Sequence, residues 1–506
     1  MKSQCACQWN SLDLFDPGHV VAMRIRFDLH SGEVVDLMDR NPLVHKAKCQ
    51  HLNDARDVNR CKQLCDLPHA ILLRILAFLP TEDAVRTSVL SRRWEYLWTS
   101  IPCLVFIEEN IDGRMLFRNF VERALLLRDS SSLKAFSLTC KVDSEEYLDG
   151  NESRVNLWIT AAIRRNVEDL RLHLKLGHGA TVYMLPRCIF RCETLRELHL
   201  EMNHDLKLPS LVCLTNLKVL TLTGVQFRDD NSVEKLLSCP SLEKLSLYSC
   251  EWNLEVLEIS APNLLYLTIV EDVLASGIRN SQVRIHGACI KSFDYFGELF
   301  YDYVILSSSS LVEASIGCHH DETEKNIDQG ACHLYKLLKA VSNVKQMFLS
   351  IEFLEDLDER EDILNLNSLP IFHSLTKLIL DDCHVNLESR ALLLLLSGCP
   401  ILKSLEFSGS ILVVSKNEDW TLDPMPPCLP LSLKEITIRC FQGTDLELLA
   451  VRILLRTAAV LEKMLIHCSR RCSRTFQGNL TEHLNELPTA SNQCTIFVKA
   501  WAPGIL

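Results

Sequence analysis

A chain of 506 residues with formal net charge −12, 47% hydrophobic and 23% charged, has the composition of a soluble globular protein with room for about three ordinary domains. The acidic balance argues against a general nucleic-acid binder, which needs a basic face to meet phosphates. The longest pure aliphatic run, 391–396, is far short of the ~20 residues a membrane helix needs, and the 22 cysteines, scattered without a framework, read as reduced thiols.

Residues 1–63 show no sustained periodicity and read as a disordered extension. The opening MKSQCACQWNSLDLF lacks a charged leader followed by an apolar core, so no secretory signal is read and the expected location is nucleus or cytoplasm. Met38 offers an alternative start. Cys49, His51, Cys61 and Cys65 are zinc-ligand types, but their spacing fits no zinc module and no metal is expected.

The stretch 64–98, LCDLPHAILLRILAFLPTEDAVRTSVLSRRWEYLW, carries more apolar surface than it can bury within itself. Ile71, Leu72, Ile75, Leu76, Phe78 and Leu79 recur at helical spacing and cover more than one face. Pro68 suits a first turn, and Pro80 stops this helix. Thr81 is placed to cap a second helix, with Glu82 and Asp83 favourable to its dipole. A third is expected from Ser91, stacking Trp94, Leu97 and Trp98 on one side. The surplus is either a corner packed on the next domain or a docking surface.

The series Leu67-Pro68, Ile71-Leu72, Ile75, Leu79-Pro80, Asp83-Ala84, Ser88-Val89-Leu90, Ser91, Arg93-Trp94 and Leu97-Trp98 closely resembles an F-box. That resemblance implies docking on the Skp-type adaptor of a cullin–RING ubiquitin ligase, with cullin and RING subunits reached through the adaptor. It assigns adaptor binding to Leu67, Pro68, Ile71, Leu72, Ile75, Leu76, Leu79, Pro80, Val89, Leu90 and Trp94. The stretch from Trp98 to Phe106 is expected to pack on the repeats that follow, so the F-box is bounded at 64–106.

From Met115 to Leu127 the pattern is that of an amphipathic helix. A form with apolar residues at i, i+3 and i+5 then recurs with starts at Leu133, Val167, Leu195, Leu217, Leu242, Leu254, Leu264, Ile290, Leu311, Val344, Leu375, Leu402, Leu433 and Leu461. Such a period marks leucine-rich repeats: an α/β solenoid, here an irregular horseshoe, in which short strands stack into one parallel sheet and helices or loops return outside. The steps from Leu242 to Leu254 to Leu264 are too short for a full helical return. The phrases SCPSLEKLSLYSC and SGCPILKSLEFSG resemble plant F-box proteins with leucine-rich repeats, and Cys239 and Cys399 in them read as structural.

Strand parity points i+2 and i+4 away from the core. These positions include Asp169 and Arg171, Glu197 and His199, Lys244 and Ser246, Val256 and Glu258, Tyr266 and Thr268, Ser292 and Asp294, Gln346 and Phe348, and Lys377 and Ile379. A face of mixed charge with isolated apolar anchors suits a protein target, with Tyr266 and Phe348 its candidate contacts. The Cys318-His319-His320-Asp321 cluster and the acidic run 356–362 read as exposed loops.

The repeats are bounded at 107–419 and the closing unit at 420–499, with a tail at 500–506. Thr444 to Glu447 form a capping box ahead of a helix whose stripe is Leu446, Leu449, Ala450, Ile453 and Leu454. The phrases CLPLSLKEITIRCFQG and LLRTAAVLEKMLIH resemble the FBD domain found after such repeats, which serves here as the solenoid's end cap. The Arg470-Arg471-x-x-Arg474 loop reads as a solvated loop.

No nucleophile elbow, zincin, dinucleotide or P-loop spacing occurs, so no catalytic residue and no cofactor are assigned. The resemblances imply a substrate-recognition subunit that holds a protein target for ubiquitination, without nucleic-acid or membrane partners. The alternatives they leave are a small-molecule-gated receptor on the same scaffold, or an adaptor-binding protein with no ubiquitination target.

Overall fold

The computed structural model describes residues 26–27, 34–35 and 67–500, apart from 112, 143–150, 177–182, 228–229, 253, 272–280, 319–326, 355–368, 382–383, 415–420 and 470–473. Most of the 1–63 extension, Met38, the Cys49-to-Cys65 set, His319 to Asp321, the 356–362 run and Arg470-Arg471 lie outside the described residues. Among those described, no helix is long and apolar enough to cross a membrane. The chain forms two compact units, one ending at Leu133 without 108–110, the other made of 108–110 and everything from Lys134 on.

In the first unit the helix His69–Leu76 starts on Pro68, whose carbonyl accepts from the Ile71 and Leu72 amides. Proline's fixed φ prepares that turn without loss of a needed donor. Tight turns at Phe78 and Leu79 end the helix before Pro80, and Thr81–Arg86 follows. Thr81 does not cap it. Pro80 takes the cap position, and the buried Thr81 hydroxyl accepts from the Val105 amide at 2.8 Å. A strand donor won the hydroxyl that the local pattern assigned to the helix.

The expected third helix is also absent. Thr87–Val89 and Leu97–Ser100 are single 3-10 turns, with Trp94 and Leu97 amides bonding three residues back. A 3-10 turn brings residues three apart together as a helix does. Trp94, Leu97 and Trp98 are therefore buried as expected without it. The Arg93 guanidinium donates to the Leu67 carbonyl at 2.6 Å and ties the ends of the motif. The helix Arg114–Leu127 buries Phe117, Val121, Ala124 and Leu125. Phe106 meets Phe120 of that helix edge-on at 5.9 Å.

The second unit is built on one parallel sheet running in chain order from Ala135–Val142 to Thr495–Lys499. Every expected register enters it except the one at Leu254. Side chains at i, i+3 and i+5 are buried throughout, as at Leu217, Leu220 and Leu222. The strand Val256–Ile259 belongs instead to a separate parallel sheet with Gln282–His286 and Asp302–Leu306. Val256 and Glu258 are thus not on the main outward face. The spacing around Leu254 is too short for a helix, so the middle repeats return in extended conformation. Gln282–His286 shows the matching alternation, with Val283 and Ile285 buried and Arg284 and His286 exposed. Elsewhere the returns are helical, as at Asp230–Leu237, Ile327–Ala340 and Arg390–Ser397.

A polar spine joins several of the repeats just before their strands. Thr194 donates to the Val167 carbonyl at 2.9 Å, Asn216 to Glu193 at 2.7 Å, Asn263 to Pro240 at 2.8 Å and Ser432 to Pro400 at 3.1 Å. Each bond satisfies a carbonyl of the preceding repeat. The thiols of Cys239 and Cys399 point back to carbonyls four residues earlier, and burial pushes Cys239 up to about 12. In the closing region Thr444 and Glu447 form the expected capping box ahead of Asp445–Thr457. The buried Glu447 carboxylate also accepts from the Gln442 amide at 3.1 Å and from the Ser410 hydroxyl. Leu449, Ala450, Ile453 and Leu454 are buried as read, and Leu446 is half-buried.

Candidate functional site

Two surfaces draw attention, one in each unit. In the first, the residues assigned to adaptor binding divide sharply. Leu72 and Leu76 are wholly buried and Trp94 is 4% exposed. These three form the unit's own core and are corrected from contacts to supports. Leu72 and Leu76 lie four apart on one helix face, the face turned inward. Leu67, Ile75, Leu79 and Pro80 are half-buried, while Pro68, Ile71, Val89 and Leu90 are exposed. Phe78 and Tyr96 join the exposed set, at 83% and 69%. Neither was assigned by the sequence, although Phe78 follows the helix end, where the inward stripe stops. A unit this small leaves these side chains in water only at a cost that a partner would remove.

The second surface is the outward face of the main sheet, where strand register lines the side chains into rows. One row runs Asp169, Glu197, Val219, Lys244, Tyr266, Ser292, Glu313, Gln346 and Lys377. The next runs Arg171, His199, Thr221, Ser246, Thr268, Asp294, Ser315, Phe348 and Ile379. Tyr266 is exposed and Phe348 half-buried, both on this face as the parity argument requires.

At both ends of the face charges neutralise one another. Arg171 grips Asp169 at 3.0 Å and stands 3.7 Å from Glu197, and His173 meets Glu201 at 2.6 Å. Further along, Arg439 and Lys377 share Glu406 at 2.6 and 3.4 Å, and Lys463 holds Glu435 at 2.5 Å. Asp169, Glu197 and His199 each bring a potential metal-ligand atom within 4.8 Å of the others. The Arg171 guanidinium already occupies that carboxylate pair as its cation. Burial, with the Arg171 charge adding to it, lowers the His199 pKa.

Behind the face, Glu271 is 3% exposed. It accepts from the Tyr303 hydroxyl at 2.8 Å and the Phe300 amide at 3.1 Å. Burial pushes its carboxyl up, against the pull of these donors. Gly297, at φ +154°, leaves room for it, since a Cβ there would lie 2.6 Å from the Glu271 side chain. Closed in this way, Glu271 is a tie between repeats and reaches no substrate. The thiols of Cys239, Cys250 and Cys428 are each pushed up to about 12 by burial, opposite to an activated nucleophile.

Comparison with known proteins fits this division. Residues 64–106 match the F-box domain, 155–290 match the repeats described as "FBD-associated F-box protein, LRR repeats", and 423–466 match FBD. An F-box/LRR-repeat protein of Arabidopsis thaliana is 30% identical over 88% of this chain and 94% of its own length. An F-box/FBD/LRR-repeat protein of the same plant is 28% identical over 86% and 98%, and F-box/LRR-repeat protein 13 is 29% identical over 85% and 95%.

Proposed function

The chain belongs to the plant F-box/FBD/LRR-repeat family, and from this we infer that it is the substrate-recognition subunit of an SCF-type cullin–RING ubiquitin ligase. The observation that carries the reading is the exposed apolar set of the first unit: Ile71, Phe78, Val89, Leu90 and Tyr96 lie in water around a core of Leu72, Leu76 and Trp94. Docking on a Skp-type adaptor would cover these side chains, and cullin and RING subunits would follow through the adaptor. The outward sheet face, with Tyr266 and Phe348 among its polar rows, would hold a protein target. The chain would supply position and no chemistry, and it would act in the nucleus or cytoplasm.

Co-purification with a Skp-type adaptor tests this. Val89→Asp with Leu90→Asp places two charges in the proposed interface and is expected to abolish capture while leaving the unfolding midpoint unchanged. Full capture by that variant would refute the docking surface.

A further inference from the structure

The charges of the outward face are paired at its two ends and unpaired in its middle. Among the described residues, neither Asp294 nor Glu313 has a cation within ion-pair distance. Register places Ser292 between Tyr266 on one neighbouring strand and Glu313 on the other. Asp294 lies two residues along the same strand, so it points to the same side. Neighbouring strands are about 4.8 Å apart. The small Ser292 side chain is therefore the floor of a seat, with an aromatic ring on one wall and carboxylates on the opposite and end walls. Tyr266 is 46% exposed, so its ring is open to a partner.

The floor continues along the adjoining row as Thr268 and Ser246. Ser246 is 1% exposed and its hydroxyl makes no hydrogen bond of ordinary length, although it lies close enough to the Tyr248 phenol on the same strand to act on it. An unsatisfied buried hydroxyl in the same trough is a second feature that a bound polar group would complete. Burial first, and then the Glu313 charge, pushes the Asp294 carboxyl up, while the Ser292 and Thr268 hydroxyls and the Lys244 charge draw it only partly back. Lys244, the cation whose charge bears on Asp294, stands one strand beyond Tyr266.

We propose that this seat receives an arginine or lysine side chain of the bound target, packed on the Tyr266 ring and paired with Asp294 and Glu313. An aromatic face beside two carboxylates and a hydroxyl suits an organic cation, above all a guanidinium, which stacks and forms several hydrogen bonds at once. The target would thus present a basic residue in a segment crossing the strands. This rests on the target-receptor reading above.

The test uses the full chain, purified with a Skp-type adaptor, and a displayed library of random peptides as probe. Recovered binders should carry an arginine or lysine in common. Asp294→Asn with Glu313→Gln should weaken them roughly tenfold, Tyr266→Leu by a similar factor, and Tyr266→Phe hardly at all, since the ring face is kept. Unfolding midpoints no lower than the parent's show that the variants are folded. Binders without a shared basic residue, binders indifferent to these changes, or no binders at all would overturn the seat. Adaptor capture is scored in the same preparations. Its loss in the parent would refute the ligase reading, whereas its retention with a failed peptide result refutes the seat alone.

Discussion

The two units solve opposite problems. The F-box unit is short of interior: it seals Leu72, Leu76 and Trp94 but leaves Phe78 at 83% and Val89 at 79% in water. The repeat unit has interior to spare. It buries the i, i+3 and i+5 side chains of each register strand and ties many of its polar groups together, as at the Glu271 carboxylate and the spine of Thr194, Asn216 and Asn263, with the Ser246 hydroxyl an exception. Under the proposed function, exposed apolar surface in the first unit would mark the adaptor's place, and unpaired polar groups on the sheet face of the second would mark the target's. The same question, what is left unsatisfied, has a different chemical answer in each.

Substitutions can break that contrast. The largest effect is expected from Leu72→Ala, which hollows the F-box core. A loss of about 2–5 kcal/mol in chemical denaturation is expected, with adaptor capture lost as a consequence of unfolding. A variant that kept full stability would mean Leu72 is not core. Next comes Glu271→Leu, which orphans the Tyr303 hydroxyl and the Phe300 amide. A loss of roughly 2–4 kcal/mol is expected in the repeat unit while adaptor capture persists. A neutral result would show that the tie is dispensable.

The smallest effect, and of opposite sign, is expected from Asp294→Asn. The folded Asp294 carboxyl titrates above its ordinary value, chiefly through burial. Its favourable contribution is complete below the unfolded pKa and is lost as pH rises through the folded one. Asparagine stays neutral, so the variant should gain about 0.5 kcal/mol at neutral pH and nothing in acid. Destabilisation at neutral pH would contradict a carboxylate held without its counter-ion.

Much of this was legible in the chain. The registers are written in apolar spacing that nothing else explains, and the capping box at Thr444 and Glu447 is local enough to read directly. The second sheet was missed because QVRIH alternates over only five residues between longer signals. The spine was readable in principle, since Thr194, Asn216, Ser241, Asn263, Ser310 and Ser432 each precede a register start. The F-box assignments erred at Leu72, Leu76 and Trp94 because an apolar pattern fixes identity and not which side faces water. The third helix failed because a spacing of three serves a 3-10 turn equally well.

The most direct measurement is quantitative capture of a Skp-type adaptor by the parent chain, by Val89→Asp with Leu90→Asp, and by Tyr266→Leu. Substrate-receptor function predicts strong capture by the parent and by Tyr266→Leu, and none by the doubly charged variant at unchanged thermal stability. Equal capture by all three, or none by the parent, would contradict it.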